Sequence, residues 1–232
     1  MNNRLKNYAI ILASGSGTRF GGDTPKQFYK LGTKTILEHT TDCFETSEYI
    51  DEIIIVTNTE NIEKVKELLY NKYKKVHNII SGGATRKESS YNGVYSIDDT
   101  EANILIHDGA RPFVSGKIIE ECIIALNNGT KALTTAIPSS DTIIEVQDNR
   151  IISVPKRERL KRVQTPQGFK LSIIKKAHEL SKGDNSFTDD CGMVLKHNLT
   201  PIYIVNGDIN NIKITYPEDI NIAGEFLNNP KQ

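Results

Sequence analysis

The stretch that decides the fold is Ala-Ile-Ile-Leu-Ala-Ser-Gly-Ser-Gly-Thr-Arg-Phe-Gly-Gly-Asp-Thr-Pro-Lys-Gln, residues 9–27. Its first five residues form an apolar run short enough to be a buried strand, and a glycine-rich loop follows directly. Small residues in such a loop let the backbone approach a ligand closely and leave main-chain N–H groups free to bind oxyanions. Arg19 adds a planar guanidinium and Lys26 a compact ammonium group. The stretch therefore predicts a strand that leads into a phosphate-binding loop.

The loop departs from two common nucleotide-binding patterns. A dinucleotide-binding loop that begins at Gly15 and Gly17 would have its third glycine at position 20, which is Phe20. A helix cannot follow directly, because two further glycines and Pro25 would interrupt it. The P-loop pattern also fails, since no glycine-lysine pair precedes a Ser or Thr. A solvent-exposed turn with two basic residues stays open as the alternative.

Charge and cysteine content narrow the class of protein. The 232 residues include 29 Lys plus Arg and 29 Asp plus Glu, so the formal net charge is zero. This balance argues against a nucleic-acid partner but permits one small phosphate pocket. Cys43, Cys122 and Cys191 lie far apart without CxxC spacing, which favours a reducing, cytoplasmic location over a zinc or disulfide framework. No apolar stretch is long enough to span a bilayer, so no membrane partner is expected.

Apolar β-branched runs alternate with segments of helical spacing along most of the chain. We predict strands at 9–13, 52–57, 76–80, 103–106, 132–136, 201–205 and 211–215, and helices at 36–44, 61–73, 85–95, 117–126 and 171–180, with further helices beginning near 188 and 217. This order predicts a single α/β domain over 1–232, with a mostly parallel sheet covered by helices on both faces. Ligands bind beyond the carboxyl ends of such strands, so the loops at 82–86 and 107–111 should join the glycine-rich loop.

The alternation breaks at 142–146 and 150–154, two short runs that predict a β-hairpin with its turn at Asp148 and Asn149. An isolated hairpin is marginally stable in water, which favours an arm at about 140–160 that reaches a second subunit. Packing of the hairpin on its own domain is the alternative. Beyond the basic run 155–162, residues 164–168 have turn chemistry. Asp189 and Asp190 are typical of a helix start, and a polar role near the substrate is the alternative.

Charged residues in or beside the loops are the first candidates for function. They are Arg19, Lys26, Arg86, Asp108, Arg111, Arg157 and Lys213. Lys213 interrupts the apolar pattern of 211–215, so it is either a surface lysine on an edge strand or a charge directed into the phosphate site.

Several motifs together resemble the cytidylyltransferases that attach CMP to a polyol phosphate. The family includes 2-C-methyl-D-erythritol 4-phosphate cytidylyltransferase and ribitol-5-phosphate cytidylyltransferase. The motifs are Ala-Ser-Gly-Ser-Gly-Thr-Arg at 13–19 with Pro-Lys-Gln at 25–27, Gly-Gly-x-x-Arg at 82–86, His-Asp-Gly-Ala-Arg-Pro at 107–112, Asp-Thr at 141–142, Gln-Thr-Pro-Gln at 164–167, and Asn-Ile-Lys-Ile-Thr-x-Pro-Glu-Asp at 211–219. Each is weak alone, but their common order makes the resemblance specific.

The resemblance implies a Rossmann-like nucleotidyltransferase three-layer fold and a homodimer paired through the β-arm. It implies that the polyol phosphate attacks the α-phosphate of CTP and releases pyrophosphate, with Mg²⁺ bridging the triphosphate. No strong base is then needed, because a phosphate oxyanion is already nucleophilic.

The resemblance also assigns roles to residues. Arg19, Lys26 and Lys213 would be catalytic and would stabilise the pentavalent phosphorus and the leaving pyrophosphate. The CTP-binding residues would be Ala13, Ser14, Gly15, Gly17, Gly82, Gly83, Arg86, Ser89 and Gly109. The polyol-phosphate-binding residues would be Asp108, Arg111, Thr142, Arg157 and Thr165, with Arg157 and Thr165 contributed across the dimer. Asp108 could instead position the metal.

Two small departures bear on the acceptor. Ala84 and Thr85 replace the acidic residue that methylerythritol enzymes tend to have after the double glycine, and Cys191 replaces their usual alanine. We therefore expect ribitol 5-phosphate, with 2-C-methyl-D-erythritol 4-phosphate as the alternative. A nucleotide-sugar glycosyltransferase would need a paired-acid metal motif, but residues 107–110 hold a single acid. A non-catalytic nucleotide-binding protein is the other remaining class.

Overall fold

The computed structural model describes residues 4–15, 17, 20 and 24–228. Its strands are β1 (Asn7–Leu12), β2 (Lys30–Leu31), β3 (Lys34–Thr35), β4 (Glu52–Thr57), β5 (Val76–Ser81), β6 (Asn103–Asp108), β7 (Ala132–Pro138), β8 (Glu145–Gln147), β9 (Arg150–Ser153), β10 (Lys161–Lys170) and β11 (Tyr203–Asn206). Its helices are α1 (Ile36–Glu45), α2 (Ile62–Leu69), α3 (Arg86–Tyr95), α4 (Gly116–Asn127), α5 (Leu171–Leu180), α6 (Asp190–Lys196) and α7 (Asp219–Asn228).

Seven strands form the central sheet, in the order β11-β7-β10-β6-β1-β4-β5. Every neighbouring pair is parallel except the two that β10 makes, because β10 runs antiparallel to both β6 and β7. Strand β1 lies between β6 and β4, and all six of its residues are buried. A strand covered on both faces requires such a continuous apolar run. The predicted α/β, mostly parallel sheet is confirmed.

Two large apolar clusters cover the two faces of the sheet. Ile11 points to the face packed by α1, α2 and α4, where Phe44 is fully buried. Ile10 points to the other face, packed by α3, α5 and α6, where Phe169 is fully buried. Successive side chains of a strand alternate between faces, so β1 contributes to both cores. The three-layer architecture is therefore present.

Residues 140–160 contain the predicted hairpin. Strands β8 and β9 form a two-stranded sheet of their own, and the turn residues Asp148 and Asn149 have φ angles of 48° and 62°. Two successive positive φ angles match the twist of a tight hairpin, which explains the Asp-Asn pair. Ile151 is 62% exposed and Ile152 is 59% exposed. The arm therefore presents large apolar side chains to solvent in the single subunit.

Two local predictions were wrong. Residues 164–168 do not form a turn but lie inside β10, which accommodates them with a register irregularity between Gln164 and Gln167 and a cis bond before Pro166. Pairing with strands on both sides overrides the local turn signal. Residues 211–215 do not form a strand, and their backbone is held instead by contacts such as Ile214 N to Ala110 O at 2.9 Å. No helix in the described ranges is long and apolar enough to cross a membrane.

Candidate active site

A cavity of about 670 Å³ opens at the carboxyl edge of the parallel strands. The loops after β1, β5 and β6 meet there, as the strand order predicts. Ten of the predicted site residues line it: Ala13, Ser14, Gly15, Gly17, Lys26, Gly83, Arg86, Asp108, Gly109 and Lys213. Gln27, Asn58, Phe187, Thr188 and Thr215 also line it, although they were not among the predicted site residues. Arg19 lies outside the described residues, as do Ser16 and Thr18.

Asp108 is the centre of the charged wall of this cavity. Lys213 Nζ donates to Asp108 Oδ2 at 2.8 Å, and Arg86 Nε donates to Asp108 Oδ1 at 3.4 Å. Arg111 Nε lies 3.7 Å from Asp108 Oδ2. Burial would raise the pKa of Asp108, but Arg86, Lys213 and Arg111 together hold that pKa well below its usual range. Asp108 is therefore a carboxylate at any working pH.

His107 and Thr165 hold the turn after β6 in place through hydrogen bonds. The Asp108 amide donates to Thr165 Oγ1 at 3.1 Å, and Thr165 Oγ1 lies 3.1 Å from His107 Nδ1. His107 Nε2 lies 3.0 Å from Arg111 O. A carbonyl can only accept, so Nε2 carries the ring proton and Nδ1 accepts from the Thr165 hydroxyl. Burial lowers the pKa of His107 to about 4, which keeps the ring neutral.

Thr165 and Arg111 therefore occupy positions other than those expected. Thr165 is 5% exposed, and its hydroxyl contacts Asp108 and His107 of its own subunit. Its contribution across a dimer stays a prediction. Arg111 contacts Asp108 from behind, donates through Nη1 to Asn211 O at 2.8 Å and is not among the residues lining the cavity. Both side chains hold Asp108 in place.

Lys213 reaches the site because its two apolar neighbours bury in the opposite direction. Ile214 is fully buried in a small cluster with Leu31 and Ile36, and Ile212 packs against the same cluster. The lysine between them points to the other side, toward Asp108. Lys26 Nζ donates to Ile214 O at 2.9 Å, so the second predicted lysine lies against the same segment. Lys213 therefore lines the cavity and is not a surface lysine on an edge strand, while its action on a phosphate stays a prediction.

A serine pair supports the side of the cavity that the sequence predicts to bind the nucleotide, called the nucleotide side below. Ser14 Oγ and Ser89 Oγ lie 2.7 Å apart, and the Gly83 amide donates to Ser89 Oγ at 3.1 Å. A Cβ added to Gly82 would lie 2.7 Å from Ser14 Cβ and 2.7 Å from Ser89 Oγ. Gly82 is therefore required for packing of the loop, and both Gly82 and Ser89 lie behind the residues that line the cavity.

Thr142 and Arg157 lie at the base of the arm. Arg157 Nη2 donates to Thr142 Oγ1 at 3.0 Å, and both residues are exposed. Neither lines the cavity of this subunit. The structure brings these two predicted residues to each other and not to Asp108.

Asp190 lies behind the cavity wall and contacts it through Arg86, which was not predicted from the sequence. Asp189 caps α6, accepting from Gly192 N at 2.9 Å, as its position predicts. Asp190 is fully buried, and its Oδ2 accepts from Arg86 Nη1 at 2.7 Å. The available signal was its place beside Cys191 and Val194, on the buried face of the helix.

The described residues contain no cluster of three or more His, Cys, Asp or Glu side chains that could hold a metal ion. Among those residues, Asp108 is the one acid on the cavity wall, and its oxygens already face three cations. Mg²⁺ binds with one or two carboxylates plus substrate phosphates in many enzymes. The donor set thus fits a metal carried on a polyphosphate and does not form a metal centre of its own. The three cysteines are free thiols.

Known proteins share this sequence and fold. The family model described as "IspD: 2-C-methyl-D-erythritol 4-phosphate cytidylyltransferase" matches residues 8–229. The 2-C-methyl-D-erythritol 4-phosphate cytidylyltransferase of Thermobifida fusca is 39% identical, over 94% of this chain and 92% of that protein. The bifunctional ribulose 5-phosphate reductase/CDP-ribitol pyrophosphorylase Bcs1 of Haemophilus influenzae is 40% identical, over 97% of this chain and 49% of that protein.

Solved structures agree with the sequence comparison. The crystal structure of 4-diphosphocytidyl-2C-methyl-D-erythritol synthase from Anaerococcus prevotii has a TM-score of 0.85 and 31% identity, and the match covers 97% of this chain and 99% of that chain. The family model covers nearly the whole chain, and the fold and the loop positions agree with the resemblance stated from the motifs. The chain therefore belongs to the 2-C-methyl-D-erythritol 4-phosphate cytidylyltransferase (IspD) family and is a cytidylyltransferase of that type.

Proposed function

We propose that the protein transfers CMP from CTP to 2-C-methyl-D-erythritol 4-phosphate and releases pyrophosphate. The observation that carries this proposal is the cavity at the carboxyl edge of the sheet, where lysine and arginine side chains surround Asp108 beside a glycine-rich loop. The family model and relatives such as those of Thermobifida fusca and Clostridioides difficile carry the methylerythritol name and support this acceptor.

The sequence favoured ribitol 5-phosphate on grounds that the structure weakens. Cys191 is buried, and its Sγ contacts Leu133 O at 3.6 Å, so it has no access to an acceptor. Ala84 and Thr85 do line the cavity, but they follow Gly83 at the start of α3, beside the serine pair of the nucleotide side. Their identity therefore bears on the nucleotide more than on the polyol.

Ribitol 5-phosphate is the second candidate acceptor. The observation in its favour is the Haemophilus influenzae relative, which is named for CDP-ribitol synthesis and is as similar to this chain as the methylerythritol relatives are. The linear ribitol chain has one hydroxyl more than the branched methylerythritol chain, which carries a methyl group instead. Pocket contacts to a methyl-sized group are worth only about 1–3 kcal/mol.

The chemistry needs positioning and charge neutralisation. The acceptor phosphate is already an oxyanion, so no side chain has to remove a proton before it attacks the α-phosphorus. Lys213 and Lys26 both line the cavity and would stabilise charge that develops on the transferred and leaving phosphates. Arg19 would add a third cation from the glycine-rich loop.

Mg²⁺ fits this site as a cation carried in on the triphosphate, with Asp108 as its candidate protein ligand. When bound, it would neutralise part of the charge of the triphosphate and strengthen pyrophosphate as a leaving group.

The arm supports a proposed homodimer. Ile151 and Ile152 are more than half exposed, and Val154 is 60% exposed. Strands β8 and β9 pair with each other and with no other strand of the described residues. Residues of one arm that cover the cavity of a second subunit would bring Thr142 and Arg157 to the acceptor. Their basic and hydroxyl groups suit a polyol phosphate.

The experiment is pyrophosphate release from CTP and Mg²⁺, run in parallel with the two polyol phosphates. We expect kcat/KM for the methylerythritol substrate to exceed that for ribitol 5-phosphate by about tenfold or more. The reverse order would assign the protein to ribitol 5-phosphate. Absence of turnover with both would refute the proposed acceptors, while CTP binding measured by calorimetry would still report on the nucleotide site.

A further inference from the structure

The Arg86 guanidinium bridges two carboxylates, one in the cavity and one in the core. Its Nε donates to Asp108 Oδ1 at 3.4 Å, and its Nη1 donates to Asp190 Oδ2 at 2.7 Å. The Asp190 contact is the shorter, and Asp190 is fully buried while Asp108 faces the cavity. A charge-assisted bond of this length fixes the plane of the guanidinium as well as its position.

Asp190 is itself held rigidly. Ser90 Oγ donates to Asp190 Oδ1 at 2.5 Å, and the Asp190 amide donates to Gln167 Oε1 at 3.0 Å. His178 Nε2 lies 3.2 Å from Ser90 Oγ on the far side. Three elements, α3, β10 and α5, therefore fix the carboxylate that fixes Arg86.

Removal of Asp190 would leave Arg86 with one anchor, the carboxylate of Asp108. A guanidinium on a flexible stem then has several arrangements available, and the Asp108 carboxylate loses a fixed partner on its Oδ1 side. Lys213 and Arg111 would still hold its Oδ2. Removal of Asp190 would therefore change the orientation of the Asp108 carboxylate, which faces the cavity, and would leave the serine pair of the nucleotide side unchanged.

We propose that Asp190 is a positioning residue for cytidylyl transfer, acting through Arg86 to orient the carboxylate of Asp108 toward the polyol phosphate. The inference rests on the proposed function only in placing the acceptor beside Asp108, and it holds for either acceptor. Asp190 touches no substrate; its effect passes through one side chain.

The test is a double-mutant cycle with D190N and R86Q, measuring kcat and acceptor KM, and the CTP dissociation constant without acceptor. D190N keeps the shape of the side chain and removes its charge. We expect D190N to lower acceptor kcat/KM roughly 10- to 100-fold, with CTP affinity and binding stoichiometry unchanged, since small misplacements of a positioned group are costly. In the R86Q background, D190N should change kcat/KM by less than about twofold, because no guanidinium remains to be positioned.

Asp184→Asn is the control, because it removes an acidic charge that pairs with Lys196 of α6 at 2.6 Å and contacts neither Arg86 nor Asp190. It should leave acceptor kcat/KM within about threefold of wild type. If D190N does not fold, Ser90→Ala replaces it in the cycle, since it removes the hydroxyl that holds Asp190 Oδ1.

Three results would overturn the proposal: D190N kinetics within about twofold of wild type, effects of D190N and R86Q that multiply, or a fall in CTP-binding stoichiometry that accounts for the whole loss with acceptor KM unchanged. Wild-type turnover with both acceptors is measured first. A wrong acceptor and a wrong role for Asp190 therefore give different results.

Discussion

Lys213→Met tests the charged wall of the cavity most directly. The substitution keeps the aliphatic length of the side chain and removes the ammonium group that donates to Asp108 Oδ2 at 2.8 Å. Arg86 and Arg111 remain on the same carboxylate, so the local arrangement has two of its three cations. The substitution therefore tests the contribution of the Lys213 charge with little change to the local structure.

The expected losses in rate and stability differ greatly in size. Removing one preorganised charge from a transition state costs roughly 10²–10³ in kcat, or about 2.7–4 kcal/mol. The Lys213 side chain is 36% exposed, so the ion pair is partly screened and contributes about 1 kcal/mol or less to the free energy of unfolding. For a chain of this length, that lowers the Tm by about 2–4 °C.

The assay is pyrophosphate release at saturating CTP, with thermal unfolding measured on the same preparation. Lys117→Met is the control, because Lys117 is 81% exposed on α4 and should tolerate the change with kcat within about twofold of wild type. If Lys213→Met kept more than about a tenth of wild-type kcat, the proposed role of this charge in stabilising the transition state would be refuted.

Three further predictions concern packing, pH and assembly. Gly82→Ala should lose about 1–3 kcal/mol of stability, because its Cβ would lie 2.7 Å from two serine side chains. The Cβ of Gly116→Ala would have no atom within 4 Å, so this variant should gain up to about 1 kcal/mol, and equal unfolding midpoints of the two variants would contradict the prediction. Burial lowers the pKa of His107 and His178 to about 4, so between pH 6.5 and about 4 these rings bind protons in the unfolded chain but not in the folded one. The free energy of unfolding should therefore fall by up to about 1.4 kcal/mol per pH unit for each ring as the pH is lowered through that range. A constant free energy from urea denaturation across the range would refute this. Ile151→Asp should weaken the proposed dimer, and sedimentation that shows an unchanged dissociation constant would count against the arm as the interface.

The strands that surround β1 could be predicted because burial on both faces demands dense apolar runs. The two failures have a common cause, since local patterns do not report pairing partners. Residues 164–168 contain Pro and Gly, yet they lie between β6 and β7, whose hydrogen bonds keep the segment extended. Residues 211–215 alternate as a strand would, but Ile212 and Ile214 pack into a small cluster and no sheet edge is used.

The residues of the site that could be selected from the sequence are those that lie within a short local motif. Residues 107–111 and Lys213 were selected because charged side chains interrupt or follow apolar runs. The Arg86 to Asp190 contact joins residues 104 positions apart, and no local periodicity encodes such a pair. Thr165 was selected from its motif, but its contacts to His107 and the Asp108 amide were not predicted, because they join residues 58 and 57 positions apart.

The contacts of Asp108 span the chain. Its partners Arg86, Thr165 and Lys213 are separated from it by 22, 57 and 105 positions. Such contacts raise the contact order of the site above that of the helices around it. During refolding, the assembled site should therefore be among the last features to form, and recovered catalysis would report completion of the native state more strictly than recovered helix content.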